Sequence, residues 1–112
     1  MHVNMKQLFF LAWPLFFATT TLSAQSGQEV YMNYCSACHG KKLEGGQAPS
    51  LLSGKWKQGE TKKAIIQTIK KGVPNTAMMS WENMLTAKQI EEVTDYMLSL
   101  KKKNKPGADQ NR

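Results

Sequence analysis

Two cysteines three positions apart, followed at once by a histidine, constrain this chain more than any other feature: Cys35-Ser36-Ala37-Cys38-His39. No other cysteine occurs in the 112 residues, and the only other histidine is His2. On a helix this spacing puts the two thiols on adjacent sides of one turn, with the imidazole directly after them. A chain of this length forms one domain with a modest core, and such chains commonly rely on a metal, a disulfide or a cofactor.

The N-terminal stretch reads as an export signal. Met1 to Lys6 is short with one positive charge, Leu8 to Phe17 is almost wholly apolar, and Ala18 to Ala24 is mostly small or polar. That order is the n-, h- and c-region pattern of a secretory signal peptide, with cleavage expected between Ala24 and Gln25. The competing reading is an uncleaved membrane anchor. Against it, the apolar run falls short of the roughly 18 to 20 residues a spanning helix needs, and Pro14 interrupts it. No cysteine lies near the cleavage point to carry a lipid, and nothing downstream is apolar for long enough to span a bilayer. The expected division is a cleaved signal peptide over 1–24, a folded domain over 25–100 and a basic, flexible tail over 101–112. The expected location is periplasmic or otherwise extracytoplasmic, without stable membrane insertion.

Fifteen Lys and Arg stand against eight Asp and Glu. Only Lys6 leaves with the signal peptide, so fourteen remain against eight. Much of that excess sits in Lys101-Lys102-Lys103-Asn104-Lys105, ahead of Pro106-Gly107, and reads as a frayed, solvated end. For an exported protein, nucleic acid is the poorest match to such charge and an acidic protein partner a better one.

Local signals place three helices. Ser26-Gly27-Gln28-Glu29 has the form of a capping box, and Val30, Tyr31 and Tyr34 follow at helical spacing up to Cys35. Gly40 to Gly54, rich in Gly, Ser and Pro, is expected to be irregular. A second helix is expected over Thr61 to Lys71, with Ala64, Ile65 and Ile69 on one face, ended by Gly72 and Pro74. Gly72 to Met84 shows no period. Thr86-Ala87-Lys88-Gln89 opens a last helix to about Leu100, whose buried face is Ile90, Val93, Met97 and Leu100. Strand signals and internal repeats are absent, so the expected fold is all-α.

C-x-x-C-H is the attachment signature of c-type haem. The thiols suit thioether bonds to the two vinyl groups on one haem edge, and His39 can bind the iron from the proximal side. Other uses of the pair fare worse. A thioredoxin-like redox motif needs a βαβ context. A structural zinc site needs four ligands, and beyond the signal segment only Cys35, Cys38 and His39 are Cys or His. A simple disulfide leaves His39 unexplained.

With those residues in place, the chain from about Gly27 to Leu100 resembles the class I, monohaem cytochromes c, of the soluble bacterial kind. Gly27 and Tyr31 lie eight and four residues before Cys35, where that family has a small residue and an aromatic. Tyr96 matches the family's aromatic in the last helix. The resemblance implies three main helices wrapped around one covalently bound haem c and its iron, with the N- and C-terminal helices crossed. It implies that the carbonyl of Pro49, in Ala48-Pro49-Ser50-Leu51, accepts a hydrogen bond from His39 and so fixes the ring. It further implies that Trp56 donates its indole N–H to a haem propionate. Leu51, with Leu52 and Ile69, would line the apolar pocket.

His39 is the only histidine beyond the signal segment, so two-histidine ligation within one chain is excluded. Methionine, lysine or an open position remains. Met32 and Met97 belong to helices, where methionine usually fills gaps. Met78 and Met79 follow Gly72-Val73-Pro74 in an irregular stretch. Gly-x-Pro-x-x-x-Met-x-x-Trp resembles the family's distal loop, in which the ligand is often followed by Pro and, three residues on, by an aromatic. Trp81 is three beyond Met78 and two beyond Met79, and Met79 stands where the Pro would be. The resemblance implies His39 and Met78 as iron ligands, with Met79 and Met84 as alternatives.

Met/His ligation raises the potential and leaves no vacant position for a substrate. The expected function is single-electron transfer between a periplasmic dehydrogenase and a respiratory acceptor, with no catalytic residues. Cys38-His39-Gly40, Leu43-Glu44-Gly45-Gly46, Ser50-Leu51 and Trp56 through Gly59 resemble c domains associated with quinoprotein dehydrogenases. That resemblance implies a redox partner of this kind, with an acidic docking surface. The alternative is an open-site haem sensor or peroxidase, which requires that neither Met78 nor Met79 be a ligand.

Overall fold

The first helical stretch starts at its capping box. Ser26 Oγ accepts the Glu29 N–H and the Glu29 carboxylate accepts the Ser26 N–H. In this computed structural model, which describes residues 14–19, 24–52 and 55–104, α1 (Gly27–Val30) follows that box. A π turn over Tyr31–Cys35 widens the helix just before the first cysteine, and α2 (Ser36–His39) carries it to Gly40. Most of the expected signal peptide, and the tail from 105, lie outside the described residues. Among the described residues there is no strand, and no helix is long and apolar enough to cross a membrane.

Thr61 caps α3 (Lys62–Lys71) by accepting the Ala64 N–H, and Gly72 ends it with a φ of 70°. Thr86 and Gln89 form the second complete capping box, opening α4 (Ala87–Lys103). This last helix runs past Leu100, so Lys101–Lys103 are helical where a flexible tail was expected to begin. Two physical terms carry the extension. Three lysines in the last turn suit the negative end of the helix dipole. The Leu100 carbonyl accepts both the Asn104 N–H and its side-chain amide, at 2.9 Å each.

The first and last helices cross at a point that only glycine permits. A Cβ on Gly27 would lie 2.1 Å from the Glu92 carbonyl oxygen. One turn on, the rings of Tyr31 and Tyr96 pack with centroids 5.5 Å apart. The core then fills from three directions. Val30 and Tyr31 come from the first stretch, Ile65 and Ile69 from α3, and Ile90, Val93, Met97 and Leu100 from α4. Tyr34, at helical spacing from them, stays 38% exposed and meets Trp81 edge-on at 5.7 Å. Lys62 of α3 reaches Glu91 and Asp95 of α4 at 2.9 and 3.0 Å. These are exposed pairs, worth about 0–1 kcal/mol each, so the apolar contacts dominate the docking of α3.

Two core residues come from loops. Leu85 and Leu43 are buried, and Leu43 sits at φ 67°. That left-handed backbone costs a branched side chain about 1–2 kcal/mol. Full burial of a leucine offsets it, at about 1.5–3 kcal/mol. The expected mutational signature of the crossing is Gly27→Ala. Urea unfolding of the haem-bearing protein should show a loss of about 2–3 kcal/mol, because the added methyl must push two helix backbones apart.

Candidate functional site

The last four carbonyls of an α-helix have no partner within it. Here two loops supply those partners, and each loop thereby becomes one wall of the same cavity. At the end of α2, the Ser36, Cys38 and His39 carbonyls accept N–H groups of Gly40 (2.8 Å), Ala48 (3.0 Å) and Gly45 (2.8 Å). The Tyr31 hydroxyl donates to the Gly40 carbonyl, and burial raises its pKa well above the usual phenol range. The exposed Glu44 carboxylate accepts the N–H groups of Lys41 (3.1 Å) and Lys42 (2.6 Å). Its own backbone N–H and those of Lys42 and Lys41 hold the Glu44 pKa below the ordinary carboxylate value.

At the end of α3 the pattern repeats. The Thr68 and Ile69 carbonyls accept the N–H groups of Gly72 (2.8 Å) and Trp81 (3.0 Å), and the Lys70 carbonyl accepts the Ser80 hydroxyl (2.5 Å). Within that loop the Val73 N–H binds the Met78 carbonyl at 2.9 Å. A Cβ on Gly72 would fall 2.6 Å from the same carbonyl oxygen, so the loop lies directly on the helix end.

Between the two loops lies a cavity of about 510 Å³. Cys38, His39, Pro49, Leu51, Trp56 and Met78 all line it, with Ile65 and Ile69 from α3 and Met97 from α4. Such a volume, mostly apolar with a few polar groups at its edge, is the usual form of a cofactor site. Cys35 does not line the cavity; it is half-buried against the core, and burial pushes its thiol up to about 11. Cys38 Sγ lies 3.6 Å from Gln47 Oε1. The two cysteines are not joined as a disulfide. Among the described residues no group of three His, Cys, Asp or Glu gathers at one point.

Burial lowers the His39 pKa, which keeps the ring neutral and its lone pair available. Its Nδ1 is buried with no hydrogen-bond partner among the described residues. The bond to the Pro49 carbonyl implied by the resemblance is therefore not formed in this structure, although Pro49 borders the same cavity. Trp56 differs from expectation more directly. Its indole N–H donates to the Leu51 carbonyl at 2.8 Å, so the donor assigned to a propionate is already used. Leu52 packs on the core and does not line the cavity. The two adjacent methionines separate cleanly. Met78 lines the cavity; Met79 is 52% exposed and does not.

Periodicity missed several lining residues, because they sit in turns or at loop edges: Lys55, Lys57, Val73 and Ala77 among them. One further contact crosses from the last helix. Lys101 places its ammonium 4.5 Å from the Trp56 ring centroid and forms an ion pair with Glu60.

Residues 22–97 match the family model described as cytochrome c oxidase, cbb3-type, subunit III. The CcoP subunit of the cbb3-type oxidase of Azospirillum brasilense is 31% identical over 90 residues, covering 74% of this chain and 30% of the subunit. Cytochrome c6 of Euglena viridis is 36% identical over 83 residues, 66% of this chain and 88% of that protein. Among solved structures, cytochrome cL of Methylophaga aminisulfidivorans aligns with a TM-score of 0.59 at 28% identity, covering 65% of this chain and 49% of that one. The chain spans about a third of the length of the oxidase subunit it matches. It belongs to the class I c-type cytochromes, an all-α family of electron-transfer proteins with covalently attached haem c.

The residues fit that group. Two free thiols sit one turn apart, a neutral imidazole and a thioether border one cavity, and that cavity is chiefly apolar. Glu44 supplies a test of the loop that closes the His39 side. Its lowered folded pKa means its carboxylate stabilises the fold above the ordinary carboxylate range, and that contribution is lost as pH falls through the folded value. Glu44→Gln should therefore lower the unfolding midpoint at neutral pH, with variant and parent converging in acid.

Proposed function

We propose that this chain is an extracytoplasmic carrier of single electrons whose haem is attached through Cys35 and Cys38 and whose iron is held by His39 and Met78. One observation carries the distal assignment: Met78 borders the same cavity as His39, whereas the neighbouring Met79 projects toward solvent. Met84 is 58% exposed and does not line the cavity either. Thioether sulfur is soft and favours ferrous iron, and six protein and porphyrin ligands leave no position for a substrate. Both points favour electron exchange over catalysis or gas binding. An export signal over 1–24, as expected from the sequence, would accord with this reading.

The ferric absorption spectrum tests the ligand set. Parent protein and Met79→Ala should show the near-red methionine-to-iron charge-transfer band, and Met78→Ala should lose it. A band that survives Met78→Ala refutes the assignment.

The donor is proposed to be an exported dehydrogenase, of the quinoprotein kind that the Leu43-Glu44-Gly45-Gly46 and Trp56-to-Gly59 segments resemble, and the acceptor a respiratory oxidase. The basic balance of the chain supports an acidic docking surface on the partner. Stopped-flow reduction by such a donor should slow as salt is raised through the range where exposed charges are screened. A rate indifferent to ionic strength removes the steering claim.

A further inference from the structure

A haem carries two carboxylates on the edge opposite the vinyl groups that the cysteines capture. Placing them in a cavity without partners is costly, so a chain that binds haem must meet that charge. The obvious donor, the Trp56 indole, is committed to the Leu51 carbonyl. The hydroxyls that border the cavity are committed too. Thr68 donates to the Ala64 carbonyl (2.9 Å), Thr76 to the Val73 carbonyl (2.8 Å) and Ser50 to the Leu43 carbonyl (3.4 Å). What remains at the rim are the side chains of Gln47, Lys55, Lys57 and Gln58.

The two lysines differ from the rest of the basic surface. Among the described residues, no other lysine and no Asp or Glu lines the cavity. Neither Lys55 nor Lys57 is in an ion pair with a described residue, a condition shared with several lysines outside the cavity such as Lys41, Lys63 and Lys70, so it is their place at the cavity that sets them apart. They also flank Trp56, whose position is fixed from two sides. The Leu51 carbonyl holds its indole N–H and the Lys101 ammonium covers its ring. The Gly59 N–H closes a turn onto the Trp56 carbonyl at 3.0 Å. The segment is therefore anchored at its centre, with a cavity-lining lysine on each side of it in sequence.

We propose that Lys55 and Lys57 are the cationic partners of the haem carboxylates, in place of Trp56, and that they hold up the reduction potential by neutralising that negative charge near the iron. This rests on the cavity being the haem site, as proposed above. It does not depend on which methionine is the distal ligand.

The test is equilibrium redox titration of haem-loaded Lys55→Gln and Lys57→Gln, with Lys55→Arg and Lys57→Arg as charge-keeping variants. Lys88→Gln, on α4 and outside the cavity lining, controls for net charge. Loss of one nearby cation should shift the one-electron equilibrium toward ferric iron by about threefold, roughly 30 mV at 59 mV per tenfold. Both Gln variants should show that fall, while both Arg variants and Lys88→Gln keep the parent potential. Haem loading that fails in a Gln variant and returns in its Arg counterpart supports the same pairing. Parent potentials in both Gln variants, or an equal fall in Lys88→Gln, overturn it. The near-red band is recorded throughout. Its absence from the parent would remove the Met78 ligand reading and leave the potentials to judge the lysines separately.

Discussion

The rest of this structure depends on a requirement of the peptide backbone, the need of helix C-termini for donors. Carbonyls at the ends of α2 and α3 have no partners inside their own helices. The segments that answer them are 40–48 and 72–81. Both segments must return to a helix end instead of leaving into solvent, and the space left between them is the cavity. His39 and Met78 border it because each belongs to a helix end or to the loop that caps one. Two cavity-lining residues far apart in sequence are thus brought together by hydrogen-bond accounting.

A second constraint keeps the two helix ends in register. Gly27 lets α1 and α4 approach until backbone meets backbone, and Tyr31 and Tyr96 pack beside the contact. Tyr31 serves both constraints, since its ring lies in the crossing and its hydroxyl reaches the Gly40 carbonyl just after the C-x-x-C-H motif. Its burial is complete, and the donor it buries is paired. The packing of the end helices is thereby tied directly to the position of the histidine.

Much of this was legible in the sequence where a local rule carries the signal. Both capping boxes and the Gly72 stop are short-range chemistry, and the buried face of α4 follows from its 3.6-residue period. Legibility failed where the answer lay in tertiary placement. Leu43 and Leu85 are core residues without periodicity, and Leu43 even takes a backbone conformation that leucine disfavours. The partner of the Trp56 indole is a backbone carbonyl, which composition cannot distinguish from any other. Met78 and Met79 are identical in type and adjacent, so only the path of the loop separates them. The end of α4 was set too early because lysines that extend a helix look, as text, like lysines in a tail.

That last point has a practical side. Hydrophobic periodicity draws the domain boundary at Leu100, but the ammonium of the next residue rests on a cavity-lining tryptophan and pairs with Glu60. A version trimmed to the apolar repeat would keep the core side chains and still lose a support of the cavity wall. Conversely, any domain grafted rigidly onto the end of α4 would act on that wall as on a short lever, with the helix as its arm and Trp56 as the point of contact.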